Sequence, residues 1–578
     1  MRKVVVLASL FFAAAGATAC SSSSSGDAPD AMIEPPTPDS GDVEPPDTDA
    51  APTPDATPPP DAGPPPPVHL AITPPMGWNS WNKFGCNIDE SIIKGMADAL
   101  VATGMKDAGY QYVVIDDCWA ATNRDANGML AADATRFPSG IAALADYVHA
   151  KGLKLGVYTD AGDKGCQGKP GSRGHEVQDA ETFAAWGVDY VKSDWCNTNG
   201  LDARTQYGLM REALLASGRD IVFSLTSNGA GKPWFWGPTV SNLWRNGDDI
   251  ADNWGSMTGI VDNNSKYAAV ARPGAWNDPD SLEVGNGGMN DGEYRVHFSM
   301  WAMMASPLMA GNDLRSMTQS TRDVLLNRSI IAIDQDTLGV QATLLRDSGG
   351  LQVWVKNLAE PGARAVALVN RSGSQAEMTV SWSELGLQGG DATVRDLWKL
   401  IDNGPTPDAF TARVPSHDVV MLRIVGQEPA APSGTTFVSD APWVHVANAW
   451  GVPERDRSNG EQGASDGHGI KLAGTSFAKG VGVHAGALLT MNLGGACTSF
   501  SAKVGVDDEV GDKGSVVFSV WSGAERLYQS GILTGAMPIE NVTVDVTGRA
   551  DLRLMVDPGI DNNDYDHSDW ADAQLVCN

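Results

Sequence analysis

Cations are scarce in this chain: 41 Lys and Arg stand against 71 Asp and Glu, giving a net charge of −30. Nucleic acids and anionic lipid surfaces are bound through a basic footprint that releases counterions, so both are excluded as partners. Cysteine is rare as well, seven in 578 residues, and none stands at zinc-ligand spacing. Long apolar runs are also missing. Even the N-terminal stretch from Val4 to Ala17 is too short to span a bilayer.

That stretch follows Met1-Arg2-Lys3 and closes on the small residues Ala17-Thr18-Ala19-Cys20, the pattern of a signal peptide over 1–20. A cysteine at that place resembles a lipobox, in which Cys20 would carry a lipid anchor; plain secretion is the alternative. Either way the chain is exported, as a bacterial outer-membrane or cell-surface lipoprotein or a secreted protein, and meets a membrane only through that anchor. The remaining cysteines, Cys86, Cys118, Cys166, Cys196, Cys497 and Cys577, are an even set bound for an oxidising compartment, so disulfides are expected.

Large apolar residues are almost absent from 21–68, a Pro/Asp-rich stretch with Pro58-Pro59-Pro60 and Pro64-Pro65-Pro66-Pro67 that reads as a disordered, extended linker. The rest is too long for one core, since single cores stop growing at roughly 250–300 residues. From 69 to 337, apolar runs alternate with helix-like stretches: Tyr112–Asp116, Lys154–Tyr158, Tyr190–Asp194, Ile221–Leu225, Asn242–Arg245 and Ala275–Asp278. Ile141, Leu144, Ala145 and Val148 recur at helical spacing between the first two, as a crossover helix requires. Nearly every run ends on a polar or acidic residue. Repeated βα units with chemistry collected at strand ends predict a (β/α)8 barrel. Residues 338–427 hold short alternating segments between turns, which predicts an antiparallel β-sandwich. After a Pro/Ala linker at 429–434, residues 435–578 read as a second all-β module.

A retaining glycoside hydrolase needs two carboxyl groups about 5–5.5 Å apart, one to attack the anomeric carbon and one to protonate the leaving oxygen. Asp116, Asp117, Asp194, Asp249 and Asp280 all lie at or just beyond strand ends, and spacing alone does not choose among them. The segment Tyr190-Val191-Lys192-Ser193-Asp194-Trp195-Cys196 resembles the nucleophile segment of glycoside hydrolase family 27, the α-galactosidase or melibiase type. Met76-Gly77-Trp78-Asn79-Ser80-Trp81, Asp116-Asp117-Cys118-Trp119, Tyr158, Trp244-Arg245 through Asp249, and Trp276-Asn277-Asp278-Pro279-Asp280 resemble the same family, in its order.

The resemblance implies a retaining α-galactosidase that removes terminal α-linked galactose from oligosaccharides or glycans, with Asp194 as nucleophile and Asp249 as acid/base. It places Asp116 and Asp117 on the sugar 4- and 6-hydroxyls, Lys192 near the 3- and 4-hydroxyls, Arg245 beside the 2-hydroxyl, and Asp280 in the sugar site. Trp81 and Tyr158 become pocket walls. Lys192, two residues before Asp194 and so on the same strand face, would keep Asp194 ionised. Together with the domain organisation, this suggests Cys86–Cys118, Cys166–Cys196 and Cys497–Cys577 as disulfides. No cofactor is implied for catalysis.

The chain departs from the family where Cys-Glu-Trp-Gly is usual. It reads Thr226-Ser227-Asn228-Gly229, and Ser227 replaces the glutamate. Family members that accept 2-acetamido sugars also carry serine there, so α-N-acetylgalactosaminidase is the alternative activity, with β-L-arabinopyranosidase behind it. A reading of another class is a catalytically inactive, glycan-binding surface lipoprotein. The C-terminal block, through Gly480–Ala485, Val504–Val510 and Tyr565–Ala573, resembles the NPCBM carbohydrate-binding module. His484 and Trp570 are its candidate glycan contacts. Asp507, Asp508 and Glu509 are candidates for a structural calcium ion, against the plainer reading of a solvated acidic loop.

Overall fold

The computed structural model describes residues 70–460, 463–559 and 562–578. The signal peptide, Cys20 and the whole of the 21–68 linker lie outside these residues, and among those described no helix is long and apolar enough to cross a membrane.

Eight parallel strands form the first sheet: β1 Met76–Asn79, β2 Tyr112–Ile115, β3 Lys154–Asp160, β4 Tyr190–Asp194, β5 Val222–Thr226, β6 Leu243–Arg245, β7 Trp276–Asp278 and β8 Leu308–Ala310. β1 pairs with both β2 and β8, and a bridge between Leu282 and Ala310 joins the segment after β7 to β8, which closes the barrel. Two strands carried no separate expectation, β1 and β8, both only three or four residues long. β3 runs two residues past Tyr158, to Asp160.

The strands stay parallel because each is followed by helical chain that covers the sheet. The helix Gly140–His149 buries Ile141, Leu144, Ala145 and Val148, the residues whose spacing announced it. Inside the barrel Tyr112, Val114, Tyr190, Val222, Leu243, Trp276 and Met309 fill the floor, and Gly156 leaves space for the Tyr190 ring. A filled floor confines open space to the C-terminal rim.

The sandwich has a six-stranded antiparallel sheet from Thr343–Asp347 to Asp418–Val425, covered by the pair Ala376–Ser381 and Ala409–Val414. The sheet's other face, through Trp354, Ala365, Ala367 and Met421, packs into the barrel's core. The last module stacks two six-stranded sheets around Val483, Phe500, Phe518, Leu554 and Trp570. It does not hang on a free tether. Leu488, Trp521 and Met555 pack against Ala269, Leu338 and Val340, and the Arg272 guanidinium donates to both oxygens of Asp557 at 2.9 Å.

Candidate active site

A cavity of about 940 Å3 opens at the C-terminal rim, lined by Trp81, Asp116, Asp117, Lys192, Asp194, Ser227, Arg245, Asp249 and Asp280 among others. Strand alternation explains the convergence. Lys192 and Asp194 are two apart on β4 and share the inward face. Asp116 and Asp117 follow the last residue of β2, and the loops after β5, β6 and β7 supply Ser227, Asp249 and Asp280.

Lys192 Nζ donates to Asp116 Oδ2 at 2.8 Å and lies 3.7 Å from Asp194 Oδ1. Asp116 Oδ2 also accepts from Asn79, and Asp117 Oδ2 accepts from the backbone N–H of Gln167. Burial works against the lysine's charge, but Asp116 and Asp194 hold it protonated well above the usual range. The same burial pushes Asp194 up to about 6; Lys192 and Arg245 pull it down, while Asp116 and Asp249 push it up. Lys192 thus favours the ionised form of Asp194 against desolvation, which is the larger effect. Asp194 Oδ1 has no hydrogen-bond donor among the described residues, and Oδ2 lies 3.5 Å from Cys166 Sγ.

Asp249 contrasts with it. Its side chain is 67% exposed against 15% for Asp194, and it accepts one hydrogen bond, from Arg245 Nη2 at 3.0 Å. Arg245 Nη2 is also 3.1 Å from Asp280 Oδ2, which accepts the Ile250 N–H. Asp280 thus braces the loop that carries Asp249, in a left-handed conformation (φ 88°) that costs a non-glycine residue energy and is typical of functional rims. The Ser227 hydroxyl donates to Ala230 O within a turn whose Asn228, Gly229, Gly231 and Lys232 all have positive φ.

Tyr158 is not part of the cavity lining. It is buried behind Lys192, whose Nζ sits 5.6 Å from its ring, and its hydroxyl accepts the Cys166 N–H. Residues given no role from the sequence also line the space, among them Asn82, Trp195, Thr226, Asn228 and Glu283. Trp236 and Trp244 are buried and Trp234 stacks on Tyr267 at 4.1 Å, so these serve packing. The disulfides Cys86–Cys118 and Cys166–Cys196 tie rim loops, and Cys497–Cys577 joins two strands of the module. Among the described residues, the only grouped metal-ligand atoms are those of Asp160, Cys166 and Cys196, and a disulfide has no thiolate to offer.

On the module, Trp570 is corrected: it is 1% exposed, edge-on to Phe518 in the core, and cannot meet a glycan. His484 is largely buried beside His567. Trp450 and Tyr565 are exposed aromatics there, at 48% and 52%, and Asn448 links the Trp450 carbonyl to the His484 N–H. Asp507, Asp508 and Glu509 all act on the buried Asp569 carboxyl, but their ligand atoms form no group close enough to share an ion. Asp507 accepts from the Lys471 and Glu509 N–H groups, Asp508 from Gly474, and Glu509 pairs with His567 and Ser458, so they do not fit a calcium site.

The family described as Alpha galactosidase A matches residues 73–336, its C-terminal β-sandwich domain 348–424, and the NPCBM/NEW2 domain 434–576. The α-galactosidase of Cyamopsis tetragonoloba is 51% identical over 350 residues, 60% of this chain and 85% of that protein. The chain belongs to the α-galactosidase family, glycoside hydrolase family 27. Within that family the α-N-acetylgalactosaminidase of Gallus gallus is 40% identical, over 63% of this chain and 98% of its own length. The crystal structure of α-galactosidase I from Mortierella vinacea superposes with a TM-score of 0.62 at 39% identity, covering 63% of this chain and all of that one. The family match spans the barrel, whose residues line the cavity, and the sandwich that packs against it.

Proposed function

We propose that this family 27 enzyme hydrolyses terminal α-linked galactose with retention, through Asp194 and Asp249. The observation that carries the reading is the unequal pair of carboxyls in one cavity: Asp194 is buried with an oxygen that accepts no hydrogen bond, and Asp249 is exposed and held by a single guanidinium. Asp194 Oδ1 attacks the anomeric carbon as its bond to the leaving oxygen breaks, and the Asp249 proton passes to that oxygen. Water then gives a proton to Asp249 and attacks the same carbon, and the ester bond to Asp194 breaks. Asp116 and Asp117, with Lys192 between Asp116 and Asp194, accept from the sugar's 4- and 6-hydroxyls. An epimer that leaves these buried acceptors unpaired is rejected.

Ser227 favours one second reading, α-N-acetylgalactosaminidase, because a small side chain stands where the family's glutamate would crowd a 2-substituent. Hydrolysis of matched p-nitrophenyl α-galactoside and α-N-acetylgalactosaminide, with Asp194→Asn as blank, separates the two. A preference for the galactoside is expected. A preference for the acetamido sugar reverses the assignment, and native hydrolysis no greater than the blank makes the chain a glycan-binding protein without catalysis. Trp450 is the proposed stacking residue of the module, and Cys20 the proposed site of a lipid anchor on an exported protein.

A further inference from the structure

The inward position beside Asp194 on the neighbouring strand is also a carboxylate. Parallel register sets Tyr158 of β3 next to Lys192 and Asp160 next to Asp194, and period-two alternation turns Tyr158 and Asp160 the same way. Asp160 is fully buried and takes neither chemical role. Its Oδ1 accepts the Gly162 N–H at 2.7 Å and its Oδ2 the Cys196 N–H at 2.9 Å, with the Tyr158 hydroxyl 3.5 Å from the same Oδ2. Gly162 belongs to the loop after β3, and Cys196 stands two residues past Asp194.

Around this carboxylate the two loops are pressed backbone to backbone. Ala161 N–H donates to Asp194 O, and Asn197 donates to the carbonyls of Lys164 and Gly165. A Cβ on Gly162 would come within 2.1 Å of Cys196 O, so only glycine permits the approach. The Cys166–Cys196 disulfide closes the far end.

We propose that Asp160 is a positioning residue for the nucleophile, its carboxylate pinning the loop that follows Asp194 to the end of β3 and so fixing where Asp194 aims Oδ1. The inference rests on Asp194 being the nucleophile. An ionised acceptor for two N–H groups gives shorter and stronger hydrogen bonds than a neutral one. Asparagine keeps the volume but has a single carbonyl oxygen, and its amide would face one of the two donors. The groups facing Asp160 are Asp194 on β4, Asp117 after β2 and Tyr158 on its own strand; those facing Asp194 include Lys192, Asp116, Arg245 and Asp249. Burial pushes Asp160 up to about 7, so its ionised form and that of Asp194 are both lost on acidification.

The test measures kcat, KM and the pH profile of kcat/KM on an aryl α-galactoside for the native protein and Asp160→Asn, normalised to folded protein by near-UV circular dichroism. Expected is a fall in kcat of about 10- to 100-fold with KM changed less than about threefold, in the range that misplacing a reacting group costs. Between about pH 7 and pH 5 the native profile should show an extra fall of the same size, about 10- to 100-fold, from Asp160, on top of the fall due to Asp194, and the variant only the latter. A variant with native kcat and the native profile overturns the proposal, even where its melting temperature falls. If Asp160→Asn does not fold, the native profile alone decides, and a fall accounted for by one group overturns it. Labelling the native protein with a fluorinated galactoside that leaves a slowly hydrolysed glycosyl-enzyme tests the underlying reading separately. A label on a residue other than Asp194 removes the nucleophile assignment, whatever Asp160 does.

Discussion

The two halves of the rim are built differently. Over β1 to β4, two disulfides, the Asp160 carboxylate and close backbone contact hold Asp117, Lys192 and Asp194 in place. Over β5 to β7 there is no disulfide among the described residues; a turn rich in positive φ and a guanidinium shared by Asp249 and Asp280 do the holding. A nucleophile gains from being fixed before substrate arrives, because displacement of its oxygen is displacement of the reacting atom. An acid/base must serve leaving groups of varied shape and admit water in the second step, which suits an exposed side chain on a laxer loop.

Asp194→Asn breaks the contrast most sharply: hydrolysis of aryl α-galactosides should fall by about 10^4-fold or more. Asp249→Asn should cost about 10^2- to 10^4-fold on alkyl galactosides, and far less on a dinitrophenyl galactoside whose leaving group needs no proton. A loss that is the same for both leaving groups would deny Asp249 its proton.

The same burial that prepares Asp194 opposes its ionisation, so it works against the fold. Its folded pKa, about 6, lies above the ordinary carboxyl value of 3.8, which means that the folded state binds the proton more tightly. Any stabilisation from the protonated form is complete below the unfolded pKa and is lost as pH rises through about 6. Asp194→Asn should therefore be more stable than native at pH 7.5, by at most about 3 kcal/mol, with the gap closing near pH 4 in thermal melts. The share of the fall in native kcat/KM that belongs to Asp194 should come on the acid side of about pH 6. The smallest effect belongs to the module: Arg272→Ala, which removes a partly buried pair with Asp557, should cost about 1 kcal/mol and lower the melting temperature slightly without altering kcat.

The barrel was legible because its strands carry apolar runs ending on chemistry-bearing residues, a pattern with few alternatives. β1 and β8 escaped because Met76–Asn79 and Leu308–Ala310 are too short to show a period. Asp160 escaped for a related reason: the apolar run stops at Tyr158, whereas the hydrogen-bond ladder continues. Trp570 misled because it stands among acidic and histidine residues that do face outward or into polar contacts. On one strand, sequence does not say which alternate face meets the core, and here the indole faces Phe500 and Phe518. The upward pull of desolvation on Asp194 was not legible, since a lysine at two-residue spacing is visible in the sequence and the depth of burial is not.

The seam between the module and the rest of the chain bears on how such enzymes are assembled by recombination. Leu338, Val340 and Ala269 lie under Leu488, Trp521 and Met555, and Leu338 O accepts from the deeply buried Arg553. Cutting the gene at the Pro/Ala stretch would strip this cover and leave an apolar scar on the catalytic part and a buried cation uncovered on the other. The module is therefore not an interchangeable cassette, and a shortened chain ending near residue 430 would be expected to self-associate.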